Sequence, residues 1–228
     1  MEIRFAATVL MALMVSGIAD AAPRKAPPKP APAPVVQPLP DTVRVAMVTE
    51  MGTITLDLNG KQAPVSTRNF LRYVDGKRFD GIVFYRVMRL AWGEQPNGLI
   101  QAGLRGDPKR VLPPIAHEST TQTGLKHLAG AISMARLGPG TATADFSILV
   151  SDIEGLDAGQ NPGDPEGYAV FGKIIEGMDV ARKIYDVPLS PTAGSGVLKG
   201  QMIEKPVKIL NVRRVALPRV TPPPALTP

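Results

Sequence analysis

Between residues 43 and 215, apolar and β-branched residues occur in short runs separated by glycine, proline and polar turn residues. Only two segments, residues 64–74 and 178–185, space their apolar residues as a helix does. Many short strands with turns between them and few helices predict an all-β barrel or sandwich. The predicted strands are residues 43–49, 53–58, 82–87, 99–101, 131–135, 146–150, 168–175 and 207–215.

The prolines mark where this domain begins and ends. Eight of the 24 lie in residues 23–40 and five in residues 218–228. A segment that alternates Pro with Ala and Lys stays extended and solvated, so residues 23–40 are predicted to be a semi-rigid linker. A ligand for a proline-binding module is the alternative. We therefore predict one domain at 41–217 and a Pro-rich tail at 218–228.

Residues 1–22 have the pattern of a secretory signal peptide. Arg4 precedes an apolar run at 5–15, and Ala19-Asp20-Ala21 fits a small-x-small cleavage site. We predict cleavage after Ala21 or Ala22, a periplasmic or secreted location, and no stable membrane insertion afterwards. An uncleaved membrane anchor is the alternative, although the apolar run is short for a span. Since the chain has no Cys, lipidation at the cleavage point, disulfides and thiolate chemistry are excluded.

The charge argues against a nucleic-acid partner. Of the net +6, a large share comes from the predicted linker and tail, and the domain has no dense cluster of Lys and Arg. His117 and His127 are the only histidines, and they lack the spacing of a metal site or hydrolase motif. The sequence therefore predicts neither a metal nor another cofactor.

Arg86 is the exceptional residue of the run at 82–87, where apolar side chains otherwise occupy both faces of the predicted strand. A guanidinium is rarely fully buried without a partner. We therefore expect its head to emerge into a groove. The alternative is an arginine whose stem packs along the strand while its charge reaches solvent at the strand end.

Four ordered segments resemble the cyclophilin-type peptidyl-prolyl cis-trans isomerases, and most closely their bacterial periplasmic branch. The segments are FYRV at 84–87, LIQAG at 99–103, GAISMA at 130–135 and YAVFGK at 168–173. The resemblance covers about 43–215. It implies an all-β fold, namely an eight-stranded antiparallel barrel capped by two α-helices. It also implies an enzyme that catalyses rotation about X-Pro bonds without a cofactor.

The resemblance also implies roles for individual residues. Arg86 matches the arginine that donates to the proline nitrogen, and Gln101 matches the glutamine that orients it and holds the substrate backbone. The remaining matches are to substrate-binding positions, namely Leu99, Ala135, Leu156 and Tyr168.

Four positions depart from the family pattern. Gly98 and Ser147 replace large aromatic residues of the proline pocket, Gly155 replaces an aromatic beside Leu156, and Asp145 replaces a glutamine. Losing buried rings weakens apolar contact with proline. We still assign Asp145 and Ser147 to the substrate-binding set, and Asp145 is expected near Arg86, where the two could pair.

The segment 88–98 is longer than the usual family turn and carries the only tryptophan, Trp92. One hypothesis is that Trp92 folds over the groove and replaces a missing ring. The other is that it is an ordinary surface tryptophan.

The sequence therefore predicts a monomeric isomerase that acts on proline-containing peptides and unfolded exported proteins and assists their folding. The alternative is a non-catalytic peptide-binding or chaperone module that keeps the barrel. Arg86 and Gln101 favour the enzyme, whereas Gly98, Ser147 and Asp145 favour the alternative.

Overall fold

The computed structural model describes residues 38–217. The predicted signal peptide, the tail at 218–228 and all but the last residues of the predicted linker lie outside this range. The limits of these segments remain predictions.

Eight antiparallel strands form a closed barrel in the order β1-β2-β7-β5-β6-β4-β3-β8, which confirms the predicted fold. The strands are β1 Thr42–Thr49, β2 Gly52–Asn59, β3 Val83–Arg89, β4 Gly98–Gly103, β5 Ala131–Met134, β6 Phe146–Leu149, β7 Ala169–Glu176 and β8 Met202–Arg214. Closure satisfies the edges that an open sheet would leave unpaired.

Both predicted helices are present. They are α1, Pro64–Asp75, and α3, Met178–Tyr185. Pro64 suits the first turn of α1 because that position needs no donor, and the Glu118 carboxylate accepts hydrogen bonds from the next two backbone N–H groups at 2.9 and 2.7 Å. Within residues 38–217, no helix is long and apolar enough to cross a membrane.

The sequence did not predict a third, four-residue helix, α2 (Thr120–Thr123). Ser119 and Gln122 form a reciprocal capping box at its start, and Gly124 ends it in the left-handed conformation. A single turn has too few residues for an apolar period to show in the sequence.

The barrel interior and the inner face of α1 form one hydrophobic core. Phe146 lies at its centre, with ring centroids 5.3 Å from Phe70, 5.6 Å from Phe79 and 6.4 Å from Phe84. All three contacts are edge-to-face, an arrangement that aromatic pairs prefer. The core therefore joins α1 to strands on the side of the barrel that contains Arg86.

We predict that Phe146→Ala lowers the free energy of unfolding by about 3–5 kcal/mol, because a fully buried ring leaves a cavity that the core cannot close. Urea denaturation measures this change. Leu137→Ala is the control: Leu137 is 99% exposed, and a surface substitution of this kind changes stability by less than about 0.5 kcal/mol. Equal stability of the two variants would contradict the assignment of the core.

Candidate active site

Four neighbouring strands place a row of polar side chains on the outside of the barrel. Arg86 on β3 is opposite Gln101 on β4, which is opposite Ser147 on β6, which is opposite Ser133 on β5. The adjacent row consists of the fully buried core residues Val87, Ile100, Ile148 and Ile132. Because side chains alternate between the faces of a strand, the inward row directs the polar row outward.

A β-bulge sets the direction of Arg86. The register of β3 against β4 shifts between Phe84 and Arg86. Two steps along β3 match one step along β4 there, so Tyr85 is the extra residue. Strict alternation from the buried Phe84 would turn Arg86 inward. One extra residue reverses this, and Arg86 faces outward while Val87 returns to the core.

The polar row forms part of a groove with a cavity volume of about 120 Å³. We call it the Arg86 groove. Its lining residues are Arg86, Met88, Leu99, Gln101, Ser133, Met134, Ala135, Arg136, Ser147, Leu156 and Tyr168.

Two carboxamide oxygens hold the Arg86 guanidinium. Its Nη1 donates to Oε1 of Gln101 at 2.7 Å, and its Nε donates to Oε1 of Gln201 at 2.8 Å. The backbone oxygen of Gln201 also accepts from the N–H of Val87 at 2.9 Å. Gln201 therefore fixes both the side chain and the strand that carries it.

The Gln101–Arg86 contact leaves donors available in the groove. Neither Nη2 of Arg86 nor the amide nitrogen of Gln101 has a hydrogen-bond partner among residues 38–217. Burial lowers the pKa of the Arg86 guanidinium from its usual value, while the phenols of Tyr85 and Tyr168 oppose that change. Arginine nevertheless remains protonated at neutral pH. The groove therefore contains a partly desolvated cation with unused N–H groups.

One wall of the Arg86 groove is apolar. Leu99 is buried in a small cluster outside the barrel with Leu149, Ile153 and Val170, and Leu156 packs against that cluster. Leu156 lies in a 3-10 turn, and its carbonyl accepts from the N–H of Tyr168 at 2.9 Å. This contact joins two lining residues of the groove, Leu156 and Tyr168.

Tyr168 and Arg136 also line the groove. The Arg136 guanidinium carbon lies 4.6 Å from the centre of the Tyr168 ring, a cation–π geometry. Arg136 Nη2 also donates to both carboxylate oxygens of Asp164, at 2.7 and 2.9 Å, and to the carbonyl of Gly167. The positive charge of Arg136 is therefore balanced by Asp164, and its role in the wall is to hold the tyrosine ring.

Seven of the nine residues predicted from the sequence line the Arg86 groove. They are Arg86, Gln101, Leu99, Ala135, Ser147, Leu156 and Tyr168. Sequence reasoning missed Ser133, Arg136 and Gln201. Ser133 lies within a recognised segment and could have been suspected from its place beside Ala135. Gln201 lies in a loop remote in sequence from β3, and no local pattern marks it.

Asp145 does not line the groove, and the expected pairing with Arg86 is wrong. Its Oδ1 accepts from the backbone N–H of Arg105 at 3.0 Å and from the Tyr85 hydroxyl at 3.4 Å. Burial raises the pKa of this carboxyl, with those two hydrogen bonds opposing the change. Since Gly103 has no side chain, the carboxylate can lie directly against its backbone. Asp145 thus supports the end of β4.

Trp92 also lies outside the Arg86 groove, so the hypothesis that it covers the proline pocket is wrong. Its side chain is 67% exposed. The loop folds on itself instead: the Asn97 side-chain amide donates to the Trp92 carbonyl at 2.5 Å, and Asn97 in turn accepts from the Ser151 hydroxyl at 2.7 Å. These bonds hold the loop backbone and leave the indole in solvent.

Gly98 cannot be replaced by a larger residue without moving β3. Its φ is +151°, and a Cβ there would lie 1.9 Å from the Met88 carbonyl oxygen. A Cβ on Gly155, in contrast, would meet no atom within 4 Å. Gly98 is thus required for the close pairing of β4 with β3, whereas the space beside Gly155 is open.

No cluster of three or more His, Asp or Glu side chains in residues 38–217 could hold a metal ion. His117 contacts the Glu166 carbonyl at 3.0 Å, and His127 has separate partners elsewhere. What the groove offers chemically is hydrogen-bond donation from a fixed cation beside apolar side chains.

Comparisons with known proteins agree with this geometry. The profile of the family described as "Cyclophilin type peptidyl-prolyl cis-trans isomerase/CLD" matches residues 44–214. A peptidyl-prolyl cis-trans isomerase of Acinetobacter baylyi is 38% identical over 173 residues, covering 74% of this chain and 84% of the relative. Peptidyl-prolyl cis-trans isomerase A of Dickeya dadantii is 39% identical over 150 residues, covering 64% and 73%.

A solved structure shares the fold. The crystal structure of a Cryptosporidium parvum cyclophilin-type peptidyl-prolyl cis-trans isomerase, determined in the presence of the dipeptide Ala-Pro, aligns with a TM-score of 0.61 and 20% identity. The alignment covers 76% of this chain and 99% of that structure. Together with the family profile and the two relatives, the closed barrel and the row from Arg86 to Ser133 show that this chain belongs to the cyclophilin-type peptidyl-prolyl cis-trans isomerases.

Proposed function

We propose that this chain isomerises X-Pro bonds of exported proteins in the periplasm and so assists their folding. The observation that carries the catalytic part is Arg86: two neutral carboxamide oxygens hold it, and Nη2 is left without a partner in the described residues. The enzyme class comes from the family. The family resemblance also implies the donor role of Arg86, and the hydrogen bonds that hold its guanidinium support that role.

The reaction needs a hydrogen-bond donor directed at the proline nitrogen. Rotation about an X-Pro bond is slow because amide conjugation sets a barrier of about 18–20 kcal/mol. Twisting the amide localises the lone pair on the proline nitrogen, which can then accept a hydrogen bond. A donor aimed at that nitrogen stabilises the twisted amide more than the planar one, and therefore lowers the barrier.

Arg86 supplies this donor in our proposal. A hydrogen bond from a charged group is worth about 1.5–3 kcal/mol, which corresponds to a rate factor of roughly ten to a hundred. The remaining acceleration must come from holding the peptide on either side of the proline. Gln101 fits that task because its oxygen is used by Arg86, while its amide N–H groups can donate to a substrate carbonyl.

The walls suit a proline ring. Leu99, Leu156 and Met88 provide apolar contact, and the Tyr168 ring also lines the groove. The presence of Ala-Pro in the Cryptosporidium parvum study indicates which kind of ligand was offered to that protein. For this chain we propose proline-containing peptides and unfolded exported proteins as substrates, bound by a monomer.

A non-catalytic peptide-binding role is the second candidate, and one observation favours it. Tyr168 is the only aromatic residue among the described residues that line the Arg86 groove. Fewer rings mean less apolar area to hold a proline in place. Such a protein would bind proline peptides without accelerating their isomerisation.

The proposed location rests on the signal-peptide pattern of residues 1–22 and the proposed cleavage after Ala21 or Ala22. We predict that the full chain, expressed in a Gram-negative bacterium, is recovered in the periplasmic fraction with its N-terminus at Ala22 or Pro23. Mass spectrometry of the purified protein checks this. The double variant Ala21→Arg, Ala22→Arg removes the small residue that precedes either cleavage point, so its precursor should remain uncleaved. An intact N-terminus in the unmodified chain would contradict the proposal.

Arg86→Ala tests the catalytic proposal. We predict a fall in kcat of roughly ten- to a hundredfold, because the variant cannot donate to the twisting amide. Exchange spectroscopy by NMR on an acetyl-Ala-Ala-Pro-Phe amide measures the rate. Arg86→Lys keeps the charge but not the fork that reaches both carboxamides, so it should recover little of the lost rate. An unmodified protein no faster than buffer would favour the non-catalytic role, and an Ala variant as fast as the parent would exclude Arg86 as the donor.

Gln201→Ala tests how Arg86 is held. Without the Gln201 oxygen, the Nε end of the guanidinium is free to turn, so we predict a roughly tenfold lower kcat with little change in KM. Asp145→Asn is the control. Its oxygen can still accept from Arg105, and its carboxyl does not contact Arg86, so kcat/KM should change by less than about twofold. A strong loss in Asp145→Asn with none in Gln201→Ala would reverse the two assignments.

A further inference from the structure

A buried hydrogen-bond chain ends at the floor of the Arg86 groove. Asp157 Oδ1 lies 2.7 Å from Nδ1 of His127, and Nε2 of His127 lies 2.9 Å from the Ser133 hydroxyl. Ser133, His127 and Asp157 are 2%, 1% and 3% exposed. Ser133 lines the groove, and its cross-strand neighbour there is the small Ser147.

Hydrogen-bond chemistry determines where the protons of this chain lie. The Asp157 carboxylate can only accept, so the ring proton of a neutral His127 is on Nδ1. Nε2 is then an acceptor, and Ser133 must donate its hydroxyl proton to it. The proton of Ser133 is thus directed away from the groove, and its oxygen lone pairs remain available on the groove side.

We propose that Ser133 is a substrate-contacting residue that accepts a hydrogen bond from a peptide N–H beside the proline, and that His127 and Asp157 are positioning residues that fix it as an acceptor. This inference rests on the proposed isomerase function. It adds that the substrate must present a backbone N–H group to Ser133 at the groove floor. The ligand class is a peptide whose backbone N–H reaches the Ser133–Ser147 part of the floor.

Protonation of His127 reverses this arrangement. A protonated imidazole donates from both nitrogens, so Nε2–H would donate to Ser133, and the serine proton would turn toward the groove. Ser133 would then meet the peptide N–H as a second donor. Substrate binding should therefore weaken when His127 becomes charged.

Two charged groups in the described part of the chain affect the pKa of His127. Asp157 favours the charged ring, and Lys126, whose Nζ lies 3.4 Å from the other Asp157 oxygen, opposes it. Burial lowers the pKa of His127 overall, with the hydrogen bond to Asp157 acting in the opposite direction. His127 is accordingly neutral at pH 7, and the loss of binding is expected only in acid.

The first test is Ser133→Ala. At pH 7 we expect KM for acetyl-Ala-Ala-Pro-Phe amide to rise roughly threefold to tenfold, with kcat changed by less than about twofold. The peptide carries no titratable group, and NMR exchange measurement needs no coupling protease, so the same assay works at every pH. An unchanged KM, or a loss confined to kcat, would overturn the contact proposed for Ser133.

The second test uses the dependence of KM on pH. Two variants should shift, in opposite directions, the pH at which KM begins to rise in acid. Lys126→Met removes a cation that opposes protonation, so the rise in KM should begin at higher pH. Asp157→Asn removes the carboxylate that favours protonation, so it should begin at lower pH. Lys183→Met is the matched control, since Lys183 is an exposed residue of α3 paired with Asp179, and its profile should match that of the parent. Profiles that superimpose for parent and Lys126→Met would overturn the role of His127, even if Asp157→Asn does not fold.

Failure of this inference is distinct from failure of the proposed function. If the unmodified protein does not accelerate isomerisation, the proposed function fails, and binding of the same peptide is followed instead by calorimetry. The contact between Ser133 and the peptide N–H would then still be supported by two results. Ser133→Ala would bind the peptide more weakly, and Lys126→Met would begin to lose binding at a higher pH than the parent. Binding that is independent of both changes would overturn it.

Discussion

The outward direction of Arg86 depends on one extra residue in β3. Without the bulge at Tyr85, alternation from the buried Phe84 would direct the guanidinium into a core built around Phe146. An unpaired charge there would cost several kcal/mol. The bulge turns Arg86 toward Gln101, and barrel closure continues the row to Ser147 and Ser133. The position of the polar row therefore follows from the register of the barrel strands, and residues outside the strands, such as Leu156 and Tyr168, complete the groove.

The fold and the centre of the site could be predicted because they depend on local patterns. Alternating apolar residues and intervening turns indicated each strand, and a charged residue within an apolar run singled out Arg86. The partners that hold Arg86 and Tyr168 could not be found in this way. Gln201 and the Arg136–Asp164 pair reach the groove from loops whose path is set by barrel closure. A residue in a loop carries no periodic signal that would place it beside a strand remote in sequence.

The two incorrect site residues failed for the same physical reason. The sequence places Asp145 in the groove because it matches a family glutamine, and Trp92 because its long segment could supply a missing ring. Backbone groups instead determine where each lies. Asp145 accepts from the Arg105 N–H across Gly103, and the carbonyl of Trp92 accepts from Asn97. These hydrogen bonds fix the position of Asp145 and of the loop that carries Trp92. A match to a family position predicts the neighbourhood of a residue better than it predicts the direction of its side chain.

Two arginines line this groove, and their partners explain why only one is suited to the reaction. Arg136 faces both oxygens of the Asp164 carboxylate, so its charge is balanced and its guanidinium serves as a support for the Tyr168 ring. Arg86 is held by the oxygens of Gln101 and Gln201, which accept hydrogen bonds without neutralising the cation. A carboxylate in either place would hold Arg86 more tightly and weaken its field at the substrate. Neutral acceptors position the guanidinium and leave its charge for the proline nitrogen, which acquires a localised lone pair only as the amide twists.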